Sequence, residues 1–397
     1  MQKDIFVTGV GIISAIGNNT EQCFESLRNK KSGLGSIEIL QTKHKDKIKV
    51  GEVKLTNYQL LDILGLSHSQ IKKYSRTSLL GIIASNEAVN NSGIDVKDEE
   101  LKTGLISATT VGGMDKTEIE IADQKATPDF LLTHPCGDST NKICDYIGID
   151  AYRTTISTAC SSGNNAIIHG IKLIRHGIID RAIVGGVDAL SKFTLNGFNS
   201  LMILDKEFCK PFDKNRMGLN LGEGAGFLVI ESEKSLKKRR KQAICKILGY
   251  ANANDAYHQT ASSPEGEGAF IAMSAALKMS NLQYNEIDYI NAHGTATPNN
   301  DLSEGLAIKR VFEEKLPKFS STKAYTGHGL GAAAGIEAVF SVLSIQKGMI
   351  FPNLNFESVI PELNIRPQTE LKEANVRNVL SNSFGFGGNN SSIIFSK

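Results

Sequence analysis

The chain has 397 residues, of which 41% are hydrophobic and 22% are charged, an ordinary composition for a folded protein with a sizeable core. Its length predicts about two to three domains. The formal net charge of +2 is too small to favour nucleic acid or a membrane surface as a partner, so neither is expected.

Strand-like and helical segments alternate from the N-terminus onward. Residues 4–10 and 105–109 have the composition of strands, and the apolar residues of 20–29 and 78–90 recur at helical spacing. Alternation of this kind predicts an α/β fold in which helices cover a sheet.

Cys160 lies between a predicted strand, 152–156, and a predicted helix that ends at Gly177. A helix N-terminus has free N–H groups and partial positive charge. This position therefore predicts a thiolate with a pKa below about 8.5, next to N–H groups that hold an oxyanion. The alternative is that Cys160 is a small buried apolar residue.

A buried strand is predicted at 181–187, directly after this helix. The two strands and the helix between them form a βαβ unit with a right-handed crossover. Cys160 is then expected at the carboxyl end of a central strand, where open α/β sheets place their sites.

The densest charge run, 234–241, predicts a solvated helix end or a connector, and we take it as the boundary between two halves, residues 1–241 and 242–397. Beyond it, helical and strand-like segments alternate again. Strands are predicted at 243–250, 287–291 and 378–383, and helices at 266–279, 303–311 and 330–346. The two halves have similar α/β patterns but no residue-level repeat.

Cellular location is constrained by the N-terminus, the apolar segments and the cysteines. Asp4 stands where a secretory signal needs positive charge, and the longest apolar tract, 331–345, is shorter than a membrane-spanning helix. Six cysteines are scattered without CxxC spacing, which favours a reducing cytoplasm and argues against a zinc site or a disulfide framework. No metal and no cofactor are expected.

Two histidines lie in glycine-rich turns. His293 follows a predicted strand, and His328 lies between glycines before an Ala/Gly-rich helix. Glycine lets backbone and substrate approach a reactive side chain closely. Each histidine alone is more often structural, but together with Cys160 they predict a nucleophilic active site.

Four motifs occur in order: Ser-Thr-Ala-Cys160-Ser-Ser-Gly, His293-Gly-Thr-Ala-Thr, Lys323 followed by Thr-Gly-His328-Gly, and Phe384-Gly-Phe386-Gly-Gly. In this set the chain resembles the decarboxylating β-ketoacyl-acyl-carrier-protein synthases, over essentially its whole length. It is most similar to the elongating type, because the initiating type is expected to have an asparagine where this chain has His328.

The resemblance implies a thiolase fold, with two related α/β halves in a five-layered α-β-α-β-α core, and a homodimer. It implies that Cys160 is the nucleophile and that His293 and His328 are the catalytic histidines, with Lys323 and Glu337 in supporting positions. The implied reaction is a decarboxylative condensation. An acyl chain held on Cys160 is extended by two carbons from a malonyl-acyl-carrier protein.

The resemblance also implies substrate contacts. Phe386 matches a gating phenylalanine whose backbone N–H completes an oxyanion hole, with Phe384 beside it, and Thr295 and Thr297 match residues that contact the phosphopantetheine arm. Val111 stands where an isoleucine is common.

Two further features bear on the substrates. The Ser161–Asn165 segment beside the nucleophile is unusual, and we expect both this segment and Val111 to alter the acyl pocket. The length of the acyl chain therefore stays open, and so does the pathway, which is either fatty-acid synthesis or polyene or polyketide-like synthesis. Lys72, Lys73 and Lys210 are candidates for a basic rim that meets an acidic carrier protein, or are ordinary surface residues.

Three other classes of protein share features with this chain. A non-catalytic, chain-length-factor-like partner subunit shares the fold but has its cysteine replaced, so Cys160 counts against it. A non-decarboxylating thiolase needs a second cysteine near the C-terminus, and no cysteine follows Cys245. A Cys-His hydrolase needs a base oriented by an acid, and neither histidine motif has that signature.

Overall fold

The structure is a computed structural model that describes residues 3–122, 130–313 and 315–397. The strands of the described residues are β1 (Ile5–Ser14), β2 (Leu34–Gly35), β3 (Val50–Gly51), β4 (Thr103–Ala108), β5 (Tyr152–Ile156), β6 (Arg181–Asp188), β7 (Gly224–Ser232), β8 (Cys245–Asn254), β9 (Tyr289–Asn291), β10 (Lys318–Ser320), β11 (Met349–Ile350), β12 (Lys372–Glu373), β13 (Asn378–Gly385) and β14 (Asn389–Ser396).

The α-helices of the same ranges are α1 (Thr20–Arg28), α2 (Asn57–Ile63), α3 (Arg76–Ser92), α4 (Met114–Ala122), α5 (Phe130–Thr133), α6 (Cys136–Ile147), α7 (Ser162–Arg175), α8 (Lys192–Ser200), α9 (Glu233–Arg239), α10 (Glu267–Ser280), α11 (Pro298–Phe312), α12 (Lys323–Thr326) and α13 (Ala333–Lys347). Short 3₁₀ turns lie at His68–Lys73, Tyr284–Glu286, Leu330–Ala332 and Phe386–Gly388.

Every segment predicted from the sequence forms the predicted type of element. The largest boundary difference is at α11, which begins at Pro298 rather than at 303. Thr297 caps this helix by accepting from the N–H of Asn300, and proline suits a first helical position because it needs no N–H partner there. The cap therefore adds more than one turn to the helix.

Ten strands form one hydrogen-bonded sheet in the order β10-β9-β13-β14-β8-β1-β7-β6-β4-β5. The five strands β1, β7, β6, β4 and β5 come from the first part of the chain, and the other five come from after α9. The two sets meet where Ile5–Val7 of β1 pairs antiparallel with Cys245–Ile247 of β8. Each half of the chain thus supplies one five-stranded half of the sheet.

The prediction that Cys160 follows a central strand is wrong. β5 lies at the edge of the sheet and pairs with β4 alone, and β4 separates it from β6. A βαβ pattern fixes the direction of its two strands but not how many strands lie between them, because that depends on long-range packing. Cys160 therefore follows the carboxyl end of an edge strand.

Helices lie on both outer faces and in the middle of the molecule. α3 and α6 cover the first half-sheet, α10 and α11 cover the second, and α7 and α13 lie between them in contact with strands of both. α7 and α13 approach so closely that a Cβ on Gly163 would lie 2.6 Å from the backbone nitrogen of Gly335. This is the predicted α-β-α-β-α thiolase architecture.

In the residues that the structure describes, one helical stretch, Leu330–Lys347, is long and apolar enough to cross a membrane. The sequence suggested that tract 331–345 was too short to span a membrane. The helical stretch is longer than that tract, so the argument from its length was wrong. Inside the protein, 89% of the stretch is buried, which is the pattern of a core helix in the middle layer.

Candidate active site

Cys160 lies in the turn between β5 and α7. Ala159 before it has a left-handed backbone with φ of 51°, and Ser161 after it precedes the first residue of α7. The backbone N–H groups of Cys160 and of Phe386 both face the thiol, and both act to lower its pKa. Two backbone N–H groups from distant parts of the chain therefore lie beside the nucleophile, where they could donate to the oxygen of a bound thioester.

The prediction of a lowered thiol pKa is wrong. Cys160 is 6% exposed, and burial raises the pKa of its thiol to about 11. The positive charge of Lys323 and the two N–H donors act in the opposite direction, but their combined effect is smaller. Desolvation disfavours the charged form, so the resting side chain is a neutral thiol.

His328 contacts the thiol directly. Its Nε2 lies 3.1 Å from Sγ of Cys160, and the backbone N–H of Leu330 donates to its Nδ1 at 3.2 Å. Burial lowers the pKa of His328 well below its ordinary value, with the charge of Lys323 as the second cause. The ring is therefore neutral, and because Nδ1 is an acceptor the proton is on Nε2 and points at the sulfur.

His293 is held in the same form by a different donor. Nζ of Lys323 lies 3.2 Å from Nδ1 of His293, and burial followed by that positive charge lowers the pKa of the imidazole well below its ordinary value. A lysine ammonium only donates, so Nδ1 of His293 accepts and Nε2 has the proton. The two imidazoles meet edge to face, with centroids 5.4 Å apart.

Lys323 uses three contacts to fix this arrangement. Besides Nδ1, its ammonium donates to the backbone oxygen of His293 at 2.6 Å and to the carboxylate of Glu337, with which it forms a buried ion pair. Burial raises the pKa of Glu337 to about 7, although Lys323 lowers it. Lys323 therefore orients an imidazole and pairs with a carboxylate, and both interpretations of this lysine from the sequence apply.

One atom each of Cys160, His293 and His328 lie within 4.8 Å of one another, which is close enough to suggest a metal site. The donors behind the imidazoles do not fit a metal. A histidine that binds metal through Nε2 has its proton on Nδ1 and donates it to an acceptor. Here an ammonium and an amide N–H face those two Nδ1 atoms, so the two imidazoles are arranged to donate hydrogen bonds through Nε2.

A first cavity, of about 380 Å³, leads to Cys160 past both imidazoles. Many of its wall residues have hydroxyl or amide side chains: Thr260, Ser262, Thr295, Thr297, Asn299 and Asn300. The hydroxyls of Thr295 and Thr297 are 2.9 Å apart. Phe384, whose ring lies 5.9 Å from that of His293, also lines this cavity. The wall suits a ligand with amide groups.

A second cavity, of about 360 Å³, reaches Cys160 from another side and is mostly apolar. Val111 and Leu330 line it. Phe198 and Phe386 line both cavities and stack, with centroids 5.8 Å apart, so this pair of rings forms a shared wall.

The structure corrects one expectation about the surroundings of these cavities. No residue of Ser161–Asn165 lines either cavity, so this segment does not alter the acyl pocket directly. Lys72, Lys73 and Lys210 line neither cavity. The first two are exposed, and Lys210 forms an ion pair with Glu357 at 2.7 Å.

Two residues of the site were missed in the sequence. Glu304 is buried and accepts from the backbone N–H groups of His293 and Gly294, at 2.9 and 2.7 Å, which holds the histidine turn in place. Phe198 supplies the ring against Phe386. A carboxylate within a helix and an aromatic residue beside a glycine are common in any chain, so neither had a specific sequence signal.

Fold and site together define a condensing acyltransferase of the thiolase type. Two sequence profiles match the chain, the beta-ketoacyl synthase N-terminal domain over residues 2–235 and the C-terminal domain over residues 244–357. The chain therefore belongs to the beta-ketoacyl synthase family. It is 34% identical to the 3-oxoacyl-[acyl-carrier-protein] synthase 2 of Staphylococcus aureus (strain N315), covering 100% of this chain and 98% of that protein.

Solved structures agree. The ishigamide ketosynthase/chain length factor is similar at a TM-score of 0.92 and 30% identity, covering all of both chains. The ketosynthase ApeO in complex with its chain length factor ApeC, from Xenorhabdus doucetiae, is similar at a TM-score of 0.87 and 29% identity, covering 99% of this chain and 98% of that chain.

Proposed function

We propose that the chain is a β-ketoacyl-acyl-carrier-protein synthase in which Cys160 holds an acyl chain and His293 and His328 act on a malonyl thioester. The best support is that one side-chain atom each of Cys160, His293 and His328 lie within 4.8 Å of one another, with the backbone N–H groups of Cys160 and Phe386 facing the same thiol. Each of these groups has a step to perform.

Acyl transfer uses the sulfur and the backbone donors. The thiol of Cys160 attacks the thioester carbonyl, and the N–H groups of Cys160 and Phe386 hold the negative oxygen that forms. The new bond joins Sγ to the acyl carbon, the bond from that carbon to the pantetheine sulfur breaks, and the thiol proton ends on the departing sulfur. Because the resting thiol has a raised pKa, its deprotonation is coupled to this attack.

Condensation uses the two imidazoles. When a malonyl thioester loses carbon dioxide, the electron pair of the broken bond passes into an enolate whose oxygen is negative. The Nε2–H groups of His293 and His328 are neutral donors, so they stabilise this oxygen without having to lose or gain a proton. The enolate carbon attacks the acyl carbonyl, Cys160 leaves as a thiolate and takes up a proton, and the product is two carbons longer.

The two cavities divide the substrate between them. The first, with its hydroxyl and amide wall, is proposed to hold the pantetheine arm of the carrier protein, with Thr295 and Thr297 in contact with it. The second, with Val111, is proposed to hold the acyl chain. Lys72 and Lys73 are exposed and are proposed to meet an acidic carrier, whereas the ion pair of Lys210 with Glu357 makes it the weaker candidate.

We also propose a homodimer formed through the β5 edge. An edge strand presents unpaired backbone groups that another chain can pair with. Large apolar side chains are exposed on the contacting helices α4, α5 and α8 of the same half: Ile119, Ile121, Leu131, Leu132 and Phe193. A second copy would cover both features, and a chain-length-factor partner is the alternative.

Two further assignments belong to this proposal. The connector between the halves is proposed to lie near 241, since α9 ends at Arg239 and β8 begins at Cys245. The protein is proposed to work in the cytoplasm without a membrane span, because its six cysteines are free and its apolar helix is buried. The non-catalytic partner role is disfavoured by the complete donor set around Cys160.

The direct test incubates the protein with hexanoyl- and malonyl-acyl-carrier proteins and follows intact mass and carbon dioxide release. We expect a hexanoyl adduct on Cys160, then a 3-oxooctanoyl product. Cys160→Ala should form neither, while remaining folded with the same oligomeric state. If the wild type takes up no acyl group and releases no carbon dioxide, the catalytic proposal is wrong and the partner role replaces it.

A further inference from the structure

A polar cluster beneath Cys160 joins the two halves of the chain. It consists of Thr158, Ser161, Asn165, Asn252 and Asn389, from the nucleophile turn, from α7, from β8 and from the first position of β14. None of these residues lines the cavities at Cys160. Any effect of the cluster on the reaction must therefore come from how it positions the groups that do line the cavities.

Oδ1 of Asn389 is the centre of the cluster. It accepts from Nδ2 of Asn165 at 3.1 Å and from Nδ2 of Asn252 at 2.9 Å. It also lies 2.8 Å from the hydroxyl of Ser161, whose one proton it shares with the backbone oxygen of Thr158 at the same distance. Asn252 donates its other amide proton to Oδ1 of Asn165 at 2.8 Å, and Asn165 donates to Thr158 at 2.8 Å. The donors are thus directed toward a single oxygen.

The two ends of this cluster adjoin the two donors of the oxyanion hole. Ser161 directly follows Cys160, whose N–H is the first donor. Asn389 lies three residues after Phe386, whose N–H is the second, and Asn389 pairs in register with Gly385 on the other side of that turn. The oxygen of Asn389 therefore fastens one donor-bearing turn to the other.

Other hydrogen bonds also hold these turns, from Ser383 to the backbone oxygen of Cys160 at 2.9 Å and from the N–H of Gly387 to the oxygen of Gln259 at 2.7 Å. Ala159 has a left-handed φ of 51° without being glycine, which is a sparsely populated conformation, whereas Gly387 and Gly388 have φ values of 78° and 73° that glycine adopts readily and leaves readily. Residues in sparsely populated conformations persist when surrounding contacts hold them. We infer that Asn389 is a positioning residue that sets the distance between the two oxyanion donors, and this inference rests on the proposed function.

The test compares acyl transfer from hexanoyl-acyl-carrier protein in Asn389→Ala and Asn389→Asp. Alanine removes the acceptor, and we expect the maximum rate of acylation of Cys160 to fall about 10- to 100-fold. This decrease is smaller than that for complete removal of an oxyanion donor, because the donors are displaced but still present. The KM for the acyl donor should stay the same, since Asn389 touches no substrate cavity. Aspartate keeps an oxygen that can accept from all three partners, so it should restore most of the rate.

Asn378→Ala is the matched control. Asn378 lies at the opposite end of the β13–β14 pair, donates to the oxygen of Glu286 at 2.8 Å and accepts from Ser396 at 2.7 Å. It should cost similar thermal stability to Asn389→Ala without the loss of rate.

The outcomes separate this inference from the proposed function. A wild type that is not acylated refutes the proposed function, and this inference with it. If the wild type is acylated, the inference alone is overturned when Asn389→Ala keeps the wild-type rate, when Asn389→Asp is as slow as Asn389→Ala, or when Asn378→Ala loses as much rate.

Discussion

The two cavities that meet at Cys160 differ in their walls more than in their size. One has a volume of about 380 Å³ with hydroxyl and amide groups and both imidazoles, and the other has about 360 Å³ with mostly apolar side chains. Among the residues that the structure describes, only the stacked rings of Phe198 and Phe386 and two further residues, Cys160 and Thr260, belong to both. The proposed function assigns chemistry and carrier recognition to the first cavity and acyl-chain selection to the second.

The largest effect expected in the first cavity comes from removing an imidazole. His293→Ala and His328→Ala should each lower carbon dioxide release from malonyl-acyl-carrier protein by about 100- to 1000-fold, because each removes one donor to the enolate oxygen. The two should differ in acyl transfer. His328 contacts Sγ and His293 does not donate to it, so hexanoyl transfer should be slowed mainly in His328→Ala. Equal decarboxylation in wild type and variants would remove the histidines from the mechanism.

A smaller effect, confined to chain length, is expected in the second cavity. Val111→Phe should shorten the apolar cavity and change the preference for hexanoyl over dodecanoyl donors by about tenfold or more in favour of hexanoyl. Met217→Phe enlarges a residue that lines only the first cavity, so it should affect both donors equally. The division of the substrate between the cavities is wrong if Met217→Phe changes the preference and Val111→Phe does not.

The pH dependence of thiol reactivity tests the state of Cys160, the residue at which the two cavities meet. A thiol pKa of about 11 means that the thiolate fraction rises with pH throughout the neutral range. Alkylation of Cys160 by iodoacetamide should therefore increase about tenfold per pH unit between pH 7 and 9, since only the thiolate reacts. A plateau in this range would indicate a thiolate already formed at rest, as expected from the helix N-terminus alone.

The sequence was informative about elements and residue types, and less so about their arrangement. The strand and helix around Cys160 followed from local periodicity, but the edge position of β5 depends on which strands pair across the sheet. β14 was missed because Asn389–Ser392 is polar, although its partners on both sides bury most of it. Packing overrode a weak local preference there.

The same limit applies to the site. The motifs predicted five site residues, and the structure places all five in one buried cluster: Cys160, His293, His328, Lys323 and Glu337. The state of the thiol did not follow from sequence, because burial dominates its pKa and burial is a property of the folded chain. The imidazole tautomers likewise depend on which donors face each Nδ1, namely Lys323 and the N–H of Leu330.

The central claim is that His293 and His328 are both neutral imidazoles with the proton on Nε2. Nitrogen-15 chemical shifts of the histidine rings, assigned with the two alanine variants, measure this directly. At pH 7 both residues should show a protonated Nε2 and an unprotonated Nδ1. A ring with its proton on Nδ1, or an imidazolium at either position, would contradict the account.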